Sequence, residues 1–314
     1  MGLTWGGGQL IVHVLDCGIT DESWAEYEVM IKRVAKKACV DVEVVRHIID
    51  MRRFANFKTW TNGSKAAWAR FLIPTLLADV DVCLYSDCDM LFVANPREVL
   101  DSLKDSNMLL VGHRDPSAET CADVEWYRRK EMPWDVEKYI CSGLIVMNVK
   151  AFREEGIEKK CFEFVEQNPD VPIVDQTTLN QVCRGRIGLL ADGWGLFTHE
   201  CHAFDGRIRA IHFAGGWPWI RGKKCWHALS LSLSKEECLL WRDFESCILG
   251  LSPSVATYPS MGHRVLAFGA LIAARVANRF GVGIGFGGLQ RCVAEYDCHT
   301  SALGEARREI FENM

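Results

Sequence analysis

The stretch VCLYSDCDMLF, Val82–Phe92, sets an apolar run against two aspartates one residue apart, Asp87 and Asp89. An apolar run of this length, rich in β-formers and stopped by polar residues, predicts a strand. Two carboxylates at its end converge on one point once the backbone turns, and their summed negative charge then needs a cation. Mg²⁺ or Mn²⁺ held by one or two carboxylates keeps open positions that diphosphate oxygens fill, so the spacing points to a metal–diphosphate site.

Outward from this stretch, apolar runs alternate with amphipathic ones through the first two thirds of the chain. That is the pattern of an α/β fold with helices flanking a mostly parallel central sheet. Strands are expected at Gln9–Leu15, Val40–Val45, Val82–Ser86, Met108–His113, Gly143–Val149 and Arg209–Phe213, with helices beginning at Asp21, Ser64, Pro96, Ala151 and Asp175. Sheets of this kind bind ligands beyond the carboxyl ends of their strands, where Asp87 and Asp89 fall. From about Ser230 the pattern turns helical, which divides the chain into a domain over 1–230 and a helical extension over 231–314. In that extension HRVLAFGALIAARVANRF carries Arg264, Arg275 and Arg279, too charged to cross a bilayer. It reads as a helix packed on the main domain, or as a basic amphipathic surface in peripheral contact with the inner face of a membrane.

A net charge of −5 over 314 residues gives no global pull toward nucleic acid. Fourteen cysteines are scattered without a CxxC pair, so reduced, packed thiols of a cytoplasmic protein are expected rather than a zinc ribbon or disulfide framework. HECH, His199–His202, lacks a second ligand pair and reads as a polar loop. The amino end, MGLTWGGGQLIVHVLD, has no basic n-region and too short an apolar run for a secretory signal.

The Asp-x-Asp string also fits phosphatases in which the first aspartate is the nucleophile and the second a general acid or base. Met90, Leu91 and Phe92 follow the pair here, and LFVANP extends the chain as a short strand toward Pro96.

Four stretches in order resemble glycosyltransferase family 8, the group of glycogenin and the bacterial lipopolysaccharide galactosyltransferases. They are HVLDCGITDESW (13–24), GSKAAWARFLIPTLLADVDVCLYSDCDMLF (63–92), YICSGLIVMNVKAFR (139–153), and DQTTLNQV (175–182) with IHFAGGWPW (211–219). The resemblance implies a GT-A nucleotide-sugar fold and a metal-dependent, retaining transfer of a hexosyl group from a nucleotide-diphosphate sugar, UDP-linked, to a saccharide hydroxyl. It implies that Asp87, Asp89 and His212 hold Mn²⁺, or Mg²⁺ in its place, and that Ser86 and Cys88 flank the donor. It places Arg70 on the donor, Asp175 on the donor sugar, and Gln176 near the anomeric carbon. A helix N-cap is the structural alternative for Asp175. Asp115 loosely matches a donor-sugar aspartate. Gly143 permits close backbone approach to the sugar, Ser142 and Asn148 offer hydrogen bonds, and Asn148 is equally readable as structural.

Three departures stand out. Cys141 occupies a position where many members have asparagine. The loop after the histidine, HFAGGWPW with Gly215, is one residue shorter than usual and lacks its lysine, for which Lys223 or Lys224 substitutes. The family's first strand and helix, which contact the base, have no counterpart before IVHVLD. These departures open a second reading, a catalytically impaired relative that binds sugars or a partner.

Overall fold

The computed structural model describes residues 8–60, 63–103, 107–201 and 204–214. Gly215, Lys223, Lys224, the expected domain boundary and the helical extension lie outside the described residues. In chain order the elements are β1 (Gln9–Asp16), α1 (Asp21–Ala38), β2 (Asp41–Ile48), α2 (Ile73–Leu76), β3 (Val82–Ser86), β4 (Met90–Phe92), α3 (Arg97–Leu100), β5 (Leu110–Arg114), α4 (Ala122–Arg129), β6 (Ile140–Asn148), α5 (Val149–Glu154), α6 (Ile157–Gln167), α7 (Val174–Val182), β7 (Ile187–Leu189), β8 (Leu196–Phe197), α8 (Thr198–Cys201) and β9 (Ala210–His212).

The strands form three sheets, ordered β1-β2, β3-β6-β5-β7 and β4-β9-β8. The expectation of a mostly parallel sheet is refined here to a mixed one. The pairs β1-β2, β5-β7 and β8-β9 are parallel, while β6 runs antiparallel to both β3 and β5, and β4 antiparallel to β9. Strand direction leaves no mark on a buried apolar run, because both faces are covered either way. β6, ICSGLIVMN, is such a run, buried at every position but its last.

Its side chains divide between two cores. Ile145 and Met147 join Trp68, Phe71, Tyr139 and Phe152 on one face; Leu144 and Val146 join Phe92, Val111, Trp194 and Ala210 on the other. Burial of each large apolar side chain contributes roughly 1.5–3 kcal/mol, so β6 is the element on which both layers depend.

Helix starts follow their local chemistry. Thr20 caps α1 by accepting from the Ser23 amide at 3.2 Å, with Asp21 and Glu22 in the first turn and Lys36 and Lys37 in the last. Asn148 caps α5 through the Ala151 amide at 3.0 Å, a structural role. The segment expected as a helix from Ser64 is a 3-10 helix over Ala66–Leu72 leading into α2. After exposed Ala66 and half-buried Ala67, residues Trp68, Ala69, Arg70, Phe71 and Leu72 are all buried in succession, so the segment has no solvent face from Trp68 onward.

Candidate active site

The Asp-x-Asp stretch is where the chain leaves one sheet for another. Ser86 pairs with Leu144 as the last residue of β3, and the Asp87 amide extends that ladder to the Gly143 carbonyl at 2.8 Å. Three residues later Met90 pairs with His212, and the Phe213 amide donates to the Asp89 carbonyl at 2.9 Å. Asp87 is thus fastened to β6 and Asp89 to β9, with Cys88 exposed at the turn between them. Two carboxylates at a strand end serve a switch between sheets, and the switch aims both at His212.

One ligand atom from each of Asp87, Asp89 and His212 lies within 4.8 Å of the others. His212 Nε2 is 3.3 Å from Asp89 Oδ1, and that buried oxygen accepts no hydrogen bond. A carboxylate oxygen buried without a donor has a lone pair to give, and two carboxylates with one imidazole suit a hard or borderline divalent cation with positions to spare. The residues therefore fit Mn²⁺ or Mg²⁺. Burial works against a charged imidazole, but Cys141 and Asp89 prevail and raise the His212 pKa to about 10, so a cation bound at Nε2 would take the place of the proton there. Burial also pushes the Asp89 carboxyl up, and His212 overrides it to hold the carboxyl below its usual range.

Gly143 makes this seat possible. A Cβ on it would stand within 3.0 Å of both ring nitrogens of His212. The constraint is one of space rather than of backbone angle.

Behind the pair, Arg70 is buried between two acids. Its Nη2 donates to Asp87 Oδ1 at 3.0 Å, its Nε lies 3.0 Å from Asp175 Oδ2, and its Nη1 donates to the Ser142 carbonyl. Tyr85 donates to the same Asp87 oxygen at 2.6 Å, and its ring lies 4.4 Å from the guanidinium carbon. Burial opposes the charge on Arg70, yet Asp175 and Asp87 hold it protonated above its usual range. Burial pushes the Asp175 carboxyl up to about 6, and Arg70 offsets this only in part. The expected N-cap role of Asp175 is not the one found. Ile173 holds that position, and Val174, the first residue of α7, is forced to φ +28, a strained value for a β-branched residue.

Gln176 is held at both ends of its amide. Its Oε1 accepts from the Ser142 amide at 3.1 Å, while its Nε2 donates to Asp115 Oδ2 at 2.7 Å and to the Tyr139 hydroxyl at 3.3 Å. The backbone donors of β6 are free for this because the pairing with β5 is interrupted. Gly112 pairs with Ile145 but Arg114 with Ile140, so β6 bulges across 141–144. Asn180 covers the lower end of the bulge, donating to the Ile140 carbonyl and accepting from its amide, both at 2.8 Å.

Of the expected residues, the structure gathers Arg70, Asp87, Asp89, Ser142, Gly143, Asp175, Gln176 and His212 around this point. Ser86 turns its hydroxyl to the Asp87 carbonyl at 2.9 Å. Glu200 of HECH pairs with His113 at 2.9 Å and accepts from the Phe197 amide, a local structural role. Tyr85, Tyr139 and Asp123 were not expected. Asp123 accepts from Tyr139 and, at 2.8 Å, from Thr177, and is fully buried. Their signal was weak but present, in a helix, DQTTLNQV, whose polar residues are buried almost without exception.

A family model described as Glycosyl transferase family 8 matches residues 9–228. The chain belongs to glycosyltransferase family 8. General stress protein A of Bacillus subtilis is 24% identical over 194 residues, 60% of this chain and 63% of that protein. Lipopolysaccharide 1,3-galactosyltransferase of Salmonella typhimurium is 24% identical over 180 residues, 54% of this chain and 50% of that protein. The chain thus spans less than two thirds of the length of either curated relative. Among solved structures, an active-site mutant of LgtC matches with a TM-score of 0.54 at 20% identity. Galactosyltransferase LgtC in complex with donor and acceptor sugar analogs matches at 0.52 and 19%. Each match covers 70% of this chain and 91% of the LgtC chain. At that identity the likeness is one of fold, and the fold is GT-A. Among the described residues of this family 8 chain, Asp87, Asp89 and His212 form the one group of three or more potential metal ligands, and no helix is long and apolar enough to cross a membrane.

Proposed function

We propose that this family 8 chain is a metal-dependent glycosyltransferase, moving a hexosyl group from a UDP-sugar to a saccharide hydroxyl with retention at the anomeric carbon. The observation that carries the reading is the convergence of Asp87, Asp89 and His212 from two different sheets on one point. The names of the relatives support the substrate class, a sugar donor and a saccharide acceptor.

Asp87, Asp89 and His212 would hold Mn²⁺ or Mg²⁺, which when bound supplies Lewis acidity to the departing diphosphate. The other roles belong to the protein's own groups. Arg70 has its donors engaged by Asp87 and the carbonyls of Ser142 and Ala67, with Asp175 as an ion-pair partner, so its work is to orient Asp87 and to place positive charge behind the leaving group. Asp175 is paired with Arg70 and buried, which leaves it poorly placed to act as a nucleophile. Front-face attack, assisted by the leaving diphosphate, is the route to retention that this geometry favours. Gln176, locked by Asp115, Tyr139 and the Ser142 amide, shields and positions the oxocarbenium-like centre. Lys223 and Gly215 are assigned to the diphosphate on the resemblance alone.

The test is release of free UDP from a panel of UDP-hexoses. Turnover is expected with Mn²⁺, lost on chelation and lost in Asp89→Ala. Metal-independent turnover would overturn the reading. Failure of the folded chain to bind UDP and Mn²⁺ by calorimetry would favour the non-catalytic binding protein. Formation of an aspartyl-phosphate mimic with beryllium fluoride at Asp87 would favour the Asp-x-Asp phosphatase instead.

A further inference from the structure

Four groups surround the His212 ring. Asp89 faces Nε2 at 3.3 Å, Gly143 yields space along one side, and the Phe197 ring packs with its centroid 5.0 Å away at 45°. The fourth is Cys141, whose Sγ lies 3.7 Å from Nδ1, within the range of a hydrogen bond to sulfur. The thiol is buried, and the Gly143 amide donates to the same sulfur at 3.4 Å. This contact exists because of the bulge in β6, which turns residues 141–144 out of the ladder with β5 and toward β9.

We propose that Cys141 is a positioning residue for the metal ligand. Its sulfur accepts the Nδ1–H of His212, so the proton stays on Nδ1 and the lone pair of Nε2 stays directed at the cation held between Asp87 and Asp89. A ligating histidine needs such a partner, because the imidazole has two interchangeable nitrogens and only the hydrogen bond at the far one selects the tautomer and fixes the ring. Backbone carbonyls and carboxylates are the usual partners; in this chain a thiol stands in that place. Cys141 is not itself among the converging ligands.

The inference rests on the metal site proposed above, and the experiment separates the two. Mn²⁺ affinity is measured by calorimetry on the full chain, without donor or acceptor, for wild type, Cys141→Ala and Cys141→Ser. The tautomer of His212 is read by nitrogen-15 NMR on the Mg²⁺-loaded chain. We expect Cys141→Ala to weaken Mn²⁺ binding about ten- to hundredfold, the loss usual for outer partners of metal ligands, and to leave His212 with mixed tautomers. Cys141→Ser, which restores an acceptor, is expected to recover most of the affinity. If the alanine cavity unfolds the chain, Cys141→Val keeps the volume and removes the acceptor. Wild-type affinity in the alanine or valine variant overturns the proposal, as does a serine variant no better than alanine. Absence of Mn²⁺ binding by the wild type overturns the metal site itself.

Discussion

Two arginines, Arg46 on β2 and Arg70 before β3, make the same kinds of contact in different surroundings. Arg46 reaches Asp16 at 2.7 Å, Asp21 at 3.3 Å, the Ile19 carbonyl at 3.1 Å and the Trp24 ring at 4.6 Å. Arg70 reaches Asp87 and Asp175, both at 3.0 Å, the Ser142 carbonyl and the Tyr85 ring at 4.4 Å. The side chain of Arg46 is 21% exposed, with partners at 3% (Asp16) and 94% (Asp21), against 4% for Arg70, with partners at 3% (Asp175) and 29% (Asp87). One hub fastens a parallel pair of strands to a helix, α1, that buries no residue completely; the other sits inside the core beside the candidate metal ligands. Identical chemistry in water and in the interior has different consequences. The more exposed hub is screened and replaceable, whereas the buried one leaves uncompensated charge when its arginine is removed.

The largest effect follows for Arg70→Ala. It strands Asp175 in the interior and takes a donor from the partly exposed Asp87, and a loss of about 3–5 kcal/mol in urea unfolding is expected. Arg70→Lys is expected to recover little, because a point charge cannot meet two acids and a carbonyl in the planar geometry of the guanidinium. A cost for Arg70→Ala no greater than that for Arg46→Ala would break the comparison.

Asp175 sharpens it with an effect of opposite sign. Its folded-state pKa, about 6, lies above the usual aspartate value, so between the two the folded chain binds more protons than the unfolded one. The charged form therefore costs stability at neutral pH, and the cost fades as pH falls through 6 and is gone below the unfolded value. Asp175→Asn is expected to be more stable than wild type at pH 7, by up to about 3 kcal/mol for a shift of roughly two pKa units, and equal to it near pH 3.5, while UDP release falls. Equal stability of the two proteins across that range would show that Arg70 neutralises Asp175 fully. The expected trade of stability for activity is the mark of a charge kept for function.

Gly143→Ala comes next. The added methyl displaces His212 rather than the core, so Mn²⁺ affinity is expected to fall about ten- to hundredfold with a much smaller change in the unfolding midpoint. A variant that unfolds more readily but binds Mn²⁺ normally would move Gly143 from the site to the scaffold.

How far this was readable without coordinates divides along the same line between local and tertiary causes. β3 spans Val82–Ser86 as its apolar run predicts, and α1 starts at Asp21, where its cap and acidic turn place it. The Asp-x-Asp pair and His212 were legible because metal chemistry restricts residue type, and the order of the motifs did the rest. What stayed hidden depends on neighbours distant in sequence. The 3-10 form of 66–72 goes with the burial of five residues in succession, Trp68 to Leu72, and the direction of β6 follows from its partners. Asp175 serves Arg70 rather than capping α7 because Arg70 is there to be paired. The β6 bulge has only a weak local signature, the glycine of CSG inside an apolar run, and nothing local assigns the role of Cys141.

Arg46→Ala is the smallest of these effects and the one that tests the comparison from its other side. Removing Arg46 frees Asp16, but that carboxylate keeps the Gly18 and Ile19 amides at 2.8 and 2.6 Å, so its charge is not left without donors. The turn after β1 should survive, and the loss should appear as looser attachment of α1, where the guanidinium covers Trp24 and meets Asp21. A slight fall in the unfolding midpoint is expected, with Mn²⁺ affinity unchanged. In about 1 M salt, where the screening length shrinks to roughly 3 Å, the difference from wild type should narrow, while the deficit of Arg70→Ala should persist because ions do not reach it. Hydrogen exchange in α1 gives the direct reading, with faster exchange over Asp21–Ala38 and none over α7. Should α7 exchange faster as well, or metal affinity fall with Arg46, the two hubs are coupled through β1 and β3, and the N-terminal unit belongs to the site rather than standing beside it.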